Sequence, residues 1–290
     1  MSSARRVYVV PIVVAFAASL ALAFAAPASA GKAVDRFVGF DAGVWGGQFS
    51  FVGAPFNRQS PRGVAVNEGG VGGAGVGDVY VADSGNHRVQ VFSAAGVFKF
   101  AFGRDVVAEG GVGDAGVLSF EKCVVALDCK EGTVGGAGGE MFEPHAVAVN
   151  QATGDVYVRD RRNQRVQQFS ATGAFVRAWG WDVVQTGGVG DDSTAPAGEF
   201  EVCSVASQCQ GGAGGSGVGQ FGAFNSAAGF AGTGIAVAPA GSAAAGDVFV
   251  VDPQNRRVLR FNADGGLDAV PTIGSSVNFG SSQPLHVAVD

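Results

Sequence analysis

Three ten-residue stretches of this chain obey one pattern, D-x-x-N-x-R-V-x-x-F, without a gap: residues 83–92, 160–169 and 252–261. Upstream of each lies a short apolar segment, D-V-Y-V-A from Asp78, D-V-Y-V-R from Asp155 and D-V-F-V-V from Asp247. Before that comes a second one, G-V-A-V from Gly63, A-V-A-V from Ala146 and G-I-A-V from Gly234. Segments this short bury little by themselves, so a unit repeated at fixed offsets must stack on its neighbours to form a continuous core. The 48 glycines and the lack of a helical pattern after the first thirty residues fit many short strands joined by tight turns. The expected class is all-β.

The first unit spans 61–103, with strands predicted at 63–66, 78–82, 88–92 and 97–102. The second spans 144–180, with strands at 147–149, 155–159, 165–169 and 174–179. The third, 233–274, keeps the first three strands and has a weak fourth at 267–273, which Pro271 interrupts. Residues 284–290 match the opening strand of a fourth unit, and residues 36–40 read as a further strand within an otherwise Gly-rich segment, 31–60.

Units of the form P-x-G-V-A-V, D-V-Y-V-A-D-x-x-N-x-R-V-Q-V-F and G-x-F-x-x-x-F-G resemble NHL repeats. The resemblance implies a β-propeller of four-stranded blades, here about three complete blades, 61–103, 144–180 and 233–274, plus partial strands. In the family, each repeat forms one four-stranded blade, or the strands are offset by one so that first and last repeats share a closing blade, whose outermost strand residues 36–40 resemble. Four to eight blades usually complete such a ring, so the chain reads as an incomplete ring, a truncated form of a longer protein. If it is not truncated, a homodimer is the way two arcs complete a circle.

Residues 1–30 read as a secretory signal peptide. Arg5 and Arg6 give a positive start, residues 7–26 carry no charge, and Ala28-Ser29-Ala30 forms a small-residue cleavage site before Gly31. Pro11 within the apolar run argues against an uncleaved membrane anchor. The formal charge of −6 becomes −8 once Arg5 and Arg6 are removed. The remaining arginines fall mainly at fixed repeat positions, so nucleic acid is not an expected partner.

Two inserts, 104–143 and 181–232, separate the units and are related to each other: G-G-V-G-D recurs at Gly110 and Gly187, and F-E-x-C at Phe120 and Phe200. Cys123 and Cys129 fall in the first, Cys203 and Cys209 in the second, with the same spacing. In an exported chain they predict two local disulfides, in preference to a four-thiolate zinc site, whose paired ligands favour closer spacing. The inserts are expected to crown the face that carries the D-x-x-N-x-R turns, where ligands commonly sit in propellers.

Within the turn motif, Asp, Asn and Arg are expected to build the turn and to pair with one another. The positions between them are free to choose a partner. Binding candidates on this reasoning are Arg62, His87, His145, Arg161, Arg162 and Arg256. An amidating lyase with a related propeller holds zinc with histidines from several inner strands. Here His145 and His286 fall out of register by one residue and His87 sits in a turn, so no metal and no cofactor is expected. The G-G-V-G-D segments are too far apart to share calcium in tandem and read as turns. No nucleophile elbow, phosphate loop or catalytic carboxylate pair stands out, so no catalytic residue is assigned. The expected function is an exported, non-enzymatic scaffold that binds a protein or glycan outside the cell or in its envelope through the insert-bearing face. The alternative is a propeller enzyme of the metal-dependent lyase or lactonase kind.

Overall fold

A computed structural model describes residues 61–267, except 117, 192–197 and 224–233, together with 284 and 286–289. The signal peptide, the strand at 36–40 and all but the first residue of the strand at 267–273 lie outside the described residues.

The described chain is built of antiparallel sheets with no α-helix. Strands β1 (Gly63–Asn67), β2 (Asp78–Asp83), β3 (Arg88–Phe92), β4 (Phe98–Arg104) and β5 (Phe120–Cys123) form the first sheet in chain order. The second contains β6 (Pro144–Val149), β7 (Val156–Asp160), β8 (Arg165–Phe169), β9 (Phe175–Trp181) and β10 (Phe200–Cys203), also in order. The third contains β11 (Ile235–Val237), β12 (Val248–Asp252) and β13 (Arg257–Phe261), with Leu267 bridged to Phe261. The four-stranded meander expected of each blade is present in the first two sheets and is extended by one strand: β5 and β10, from the inserts, pair along the outer edges of β4 and β9. The F-E-x-C segments did not read as strands because four residues with a central carboxylate give no clear alternation.

Alternation along each strand assigns one face to each neighbour. On β7, Val156 and Val158 point to the first sheet, where they join Tyr80, Val89, Val91, Phe102 and Phe169 in a closed cluster. Tyr157 points the other way and packs with Trp179, Val248, Leu259 and Phe261 of the second and third sheets. Burying two faces of every middle strand explains why the V-Y-V segments are apolar without a polar side. The inner strands approach closely. A Cβ on Gly63 would stand 2.7 Å from the Ala146 Cα, and one on Gly234 would stand 2.9 Å from the His286 Cα. The described residues of the 284–290 segment form no strand, yet they run beside Gly234 as β6 runs beside Gly63, and Val287 and Val289 pack against the Phe249 cluster.

Tyrosines add a directional bond to this stacking. The Tyr80 hydroxyl donates to the Ala171 carbonyl at 2.7 Å, and that of Tyr157 donates to the Ala263 carbonyl at 3.1 Å, each tying one sheet to the hairpin of the next. Burial pushes the hydroxyl of Tyr157 up to about 12 and that of Tyr80 higher still, so both remain donors at any ordinary pH. The third copy has Phe249 here. Tyr80→Phe keeps the ring and strands a buried carbonyl, so it is expected to lower unfolding free energy by about 1–2 kcal/mol in urea titration with an unchanged m-value.

Candidate functional site

The turns that follow β2, β7 and β12 share one construction. Each Asp accepts from the Asn three residues on and from the Arg five residues on: Asn86 and Arg88 bond Asp83, Asn163 and Arg165 bond Asp160, and Asn255 and Arg257 bond Asp252. The ion-pair distances are 2.9, 3.0 and 3.0 Å. The residue between Asn and Arg takes a left-handed conformation in every copy, with φ of 51° at His87, 48° at Gln164 and 53° at Arg256. Its carbonyl then crowds the glycine that ends each unit, for a Cβ on Gly103 or Gly180 would lie 3.0 Å from the oxygen of His87 or Gln164. A glutamine joins the network in two copies: Gln90 donates to Asp83 at 2.8 Å and Gln167 to Asp160 at 3.0 Å. Sequence reasoning passed over it because the third copy has Leu259 at that place.

These arginines do more than close a turn. Arg165 is fully buried and donates to carbonyls of both inserts, those of Gly136, Ala137 and Glu140 in the first and that of Gln210, at 2.8 Å, in the second. Arg88 reaches the Lys130 carbonyl at 2.6 Å, and Arg257 reaches those of Ser216, Gly217 and Gln220. From the other side, Asp160 accepts the Phe142 amide at 2.8 Å and Asp252 the Gly222 amide at 2.9 Å. The inserts therefore lie against the turns, on the face the sequence predicts.

Inside each insert, the Glu of F-E-x-C is an organising group. Glu121 accepts the amides of Val107 and Ala115 at 2.8 and 3.0 Å, and Glu201 accepts that of Val184 at 2.7 Å. Disulfides join Cys123 to Cys129 and Cys203 to Cys209, each around a short 3₁₀ turn. The Gly138 amide donates to the Ala206 carbonyl at 2.8 Å, linking one insert to the other; a Cβ there would meet the Ala206 Cα at 2.6 Å. In G-G-V-G-D, Asp114 accepts the Gly110 and Gly116 amides at 2.7 and 2.8 Å, and these bonds hold its carboxyl below the usual range. The turn reading of that segment follows from its own hydrogen bonds. The inserts also carry exposed apolar side chains: Val112, Leu127, Val189 and Val218 are 60, 96, 63 and 70% exposed.

The candidate residues from the first two units come together. Glu143, itself at φ 53°, receives Arg162 at 2.9 Å and Arg161 at 3.4 Å on one carboxylate oxygen. Its amide donates to the Nδ1 of His87 at 3.2 Å, and the His87 ring stands edge-on to Phe142, over which the Arg162 guanidinium lies 4.8 Å from the ring centre. His145 is buried on the adjoining inner strand, where its carbonyl would lie 3.0 Å from a Cβ on Gly63, the residue next to exposed Arg62. Burial, then the charges of Arg161, Arg62, Arg159 and Arg162, hold the His145 imidazole down at about 3; burial also lowers His87, against the pull of Glu143. Arg256 occupies the equivalent turn of the third sheet and is exposed.

Arg159 is a participant that sequence reasoning missed. It stands where the other copies have Ala82 and Val251, buried, with its guanidinium 3.7 Å from the centre of the Phe221 ring. Its Nη1 donates to the carbonyls of Asp160 and Arg165, while its Nε has no hydrogen-bond partner among the described residues. Burial lowers it to about 10. The signal was present in the sequence as the one charged residue at that repeat position. Among the described residues, no group of three or more His, Cys, Asp or Glu is placed to hold a metal ion.

The NHL repeat family model matches residues 77–92 and 143–169, so the chain carries NHL repeats. Over 140 residues, 48% of the chain, it is 30% identical to Protein brain tumor of Drosophila melanogaster, and it spans about a tenth of that relative, 10%. A crystal structure of virginiamycin B lyase from Staphylococcus aureus aligns with 78% of this chain and 73% of its own, at 8% identity and a TM-score of 0.27.

Two outcomes are expected from this construction. Arg165→Met leaves Asp160 charged and buried without its partner and should cost about 3–5 kcal/mol in denaturant unfolding. Arg257→Met, whose side chain is 17% exposed, should cost less, a rank order the same titrations check. For His145, the folded pKa lies below the unfolded one, so the unfolded chain takes up the proton first as pH falls. Its contribution is complete above about 6.5 and declines below it, at about 1.4 kcal/mol per pH unit. His145→Gln should remove that part of the slope between pH 6.5 and 5, measured as stability against pH.

Proposed function

We propose that this NHL-repeat protein is an exported β-propeller scaffold that binds a protein or glycan partner through its insert-bearing face. The observation that carries the reading is the way Arg88, Arg165 and Arg257 hold insert backbone to the blade turns. Loops fixed in this way lose little conformational freedom on association, so more of the contact energy appears as affinity. The exposed apolar side chains Val112, Leu127, Val189 and Val218 of the inserts supply contact area on the same elements.

Two disulfides support export, because such bonds persist in oxidising compartments. The amino-terminal segment, with its positive start, apolar run and small-residue cleavage site, supports the same reading. Among the described residues, no helix is long and apolar enough to cross a membrane.

Binding of purified, disulfide-intact protein to cell-envelope proteins and to an array of envelope glycans tests the reading. A saturable ligand is expected, with affinity reduced about tenfold by Leu127→Asp, since a large apolar side chain at an interface contributes 1–2 kcal/mol or more. Absence of saturable binding, or binding indifferent to substitutions across both inserts, overturns it.

A further inference from the structure

The arginines of the second blade turn are concentrated in a way the repeat does not require. Positions 159, 161 and 162 carry Ala82, Ser84 and Gly85 in the first unit and Val251, Pro253 and Gln254 in the third. Asp160, Asn163 and Arg165 make the pairings that every copy shares, so the three further guanidinium groups go beyond what the repeat requires. Exposed Arg62, just ahead of β1, adds its charge beside His145. In a chain of net charge −6 this is a local reversal of sign.

The seat already holds a carboxylate. Arg162 and Arg161 converge on one oxygen of Glu143, at 2.9 and 3.4 Å, and the Glu143 side chain is 26% exposed. Glu143 is held in place through a left-handed backbone, a conformation that costs a non-glycine residue free energy and persists where surroundings impose it. Arg159 backs the seat from the other face of β7, its guanidinium over Phe221 and on the carbonyls of Asp160 and Arg165. Guanidinium forks are suited to planar or tetrahedral oxyanions, and low-dielectric walls strengthen the attraction.

We propose that Arg62, Arg161 and Arg162 beside His145 form a binding seat for an oxyanion of a small polyanionic ligand, and that Glu143 is its internal occupant. The chemistry recognised is a carboxylate or phosphate group presented at the insert-bearing face, with Glu143 yielding its place between Arg161 and Arg162. His145 remains neutral in this field and so does not compete by drawing the anion to a second cation. The proposal deepens the recognition reading, because it names the chemistry that one part of that face would take from a partner.

Calorimetric titration of the full chain with citrate and, separately, with inorganic phosphate tests it, each at ionic strength matched by sodium chloride. Saturable binding of at least one anion above the chloride control is expected, and the stronger of the two identifies carboxylate or phosphate as the preferred group. Arg162→Gln should weaken binding about tenfold, the worth of one hydrogen bond to a charged group. Glu143→Gln should tighten it roughly threefold by removing the competing charge. Arg62→Gln, at an exposed position, keeps the test open if variants at buried arginines fail to fold, and should also weaken binding. Arg177→Gln, on β9 and bonded to the Asp264 carbonyl, should change nothing. No binding above chloride, affinity in the Arg62 and Arg162 variants equal to that of the unsubstituted protein, or weaker binding in Glu143→Gln each overturns the proposal. If the anions fail while insert-dependent partner binding stands, this inference falls and the scaffold reading does not.

Discussion

Everything distinctive about this molecule depends on a buried ion pair repeated three times. An Asp and an Arg five residues apart, removed from water, are costly unless every remaining donor and acceptor is used. The copy at Asp160 and Arg165 uses them fully: Asn163, Gln167 and the Phe142 amide complete the carboxylate, and four insert carbonyls complete the guanidinium. That need for satisfaction converts a turn motif into a docking point. The loop cannot leave without stranding a buried charge, and the charge cannot be buried without the loop.

The same logic explains how the described parts of the inserts are held although they are rich in glycine. In each, a strand lies on the blade's outer edge, a buried glutamate of that strand and a disulfide hold the turns around it, and the following blade turn holds backbone beyond the disulfide, through Arg165 in the first insert and Asp252 in the second. Glycine is required where the two inserts meet, at Gly138, because backbone lies against backbone. The disulfides close short loops, which restrict the unfolded chain less than long ones would, and they also fix local shape.

Against that scaffold, the cluster at Arg159, Arg161 and Arg162 stands out because it departs from the repeat. Where a position keeps one residue type in all three copies, packing or pairing explains it, as with Val89, Val166 and Val258 or with the three Asp–Arg pairs. Where one copy breaks the pattern with a buried charge, stability is a poor explanation, since a buried guanidinium costs more than the alanine or valine of its sister units.

Much of the fold was legible in the chain of letters. Three gapless copies of D-x-x-N-x-R-V-x-x-F, with their flanking V-Y-V segments, determined strand positions, repeat length and all-β class, because period-two burial and turn chemistry are local properties. Paired cysteines at equal spacing determined the two disulfides for the same reason. Only the tertiary structure decided what the conserved offsets hold: that Arg165 serves two inserts at once, that F-E-x-C becomes a fifth strand, and that Gln90 and Gln167 belong to the network. It also decided that His87, Glu143, Arg161 and Arg162 meet, residues whose partners lie up to 56 positions apart in the chain. Local pattern specifies which way a side chain faces along its own strand; which distant carbonyl or carboxylate fills the space in front of it is settled when neighbouring sheets stack.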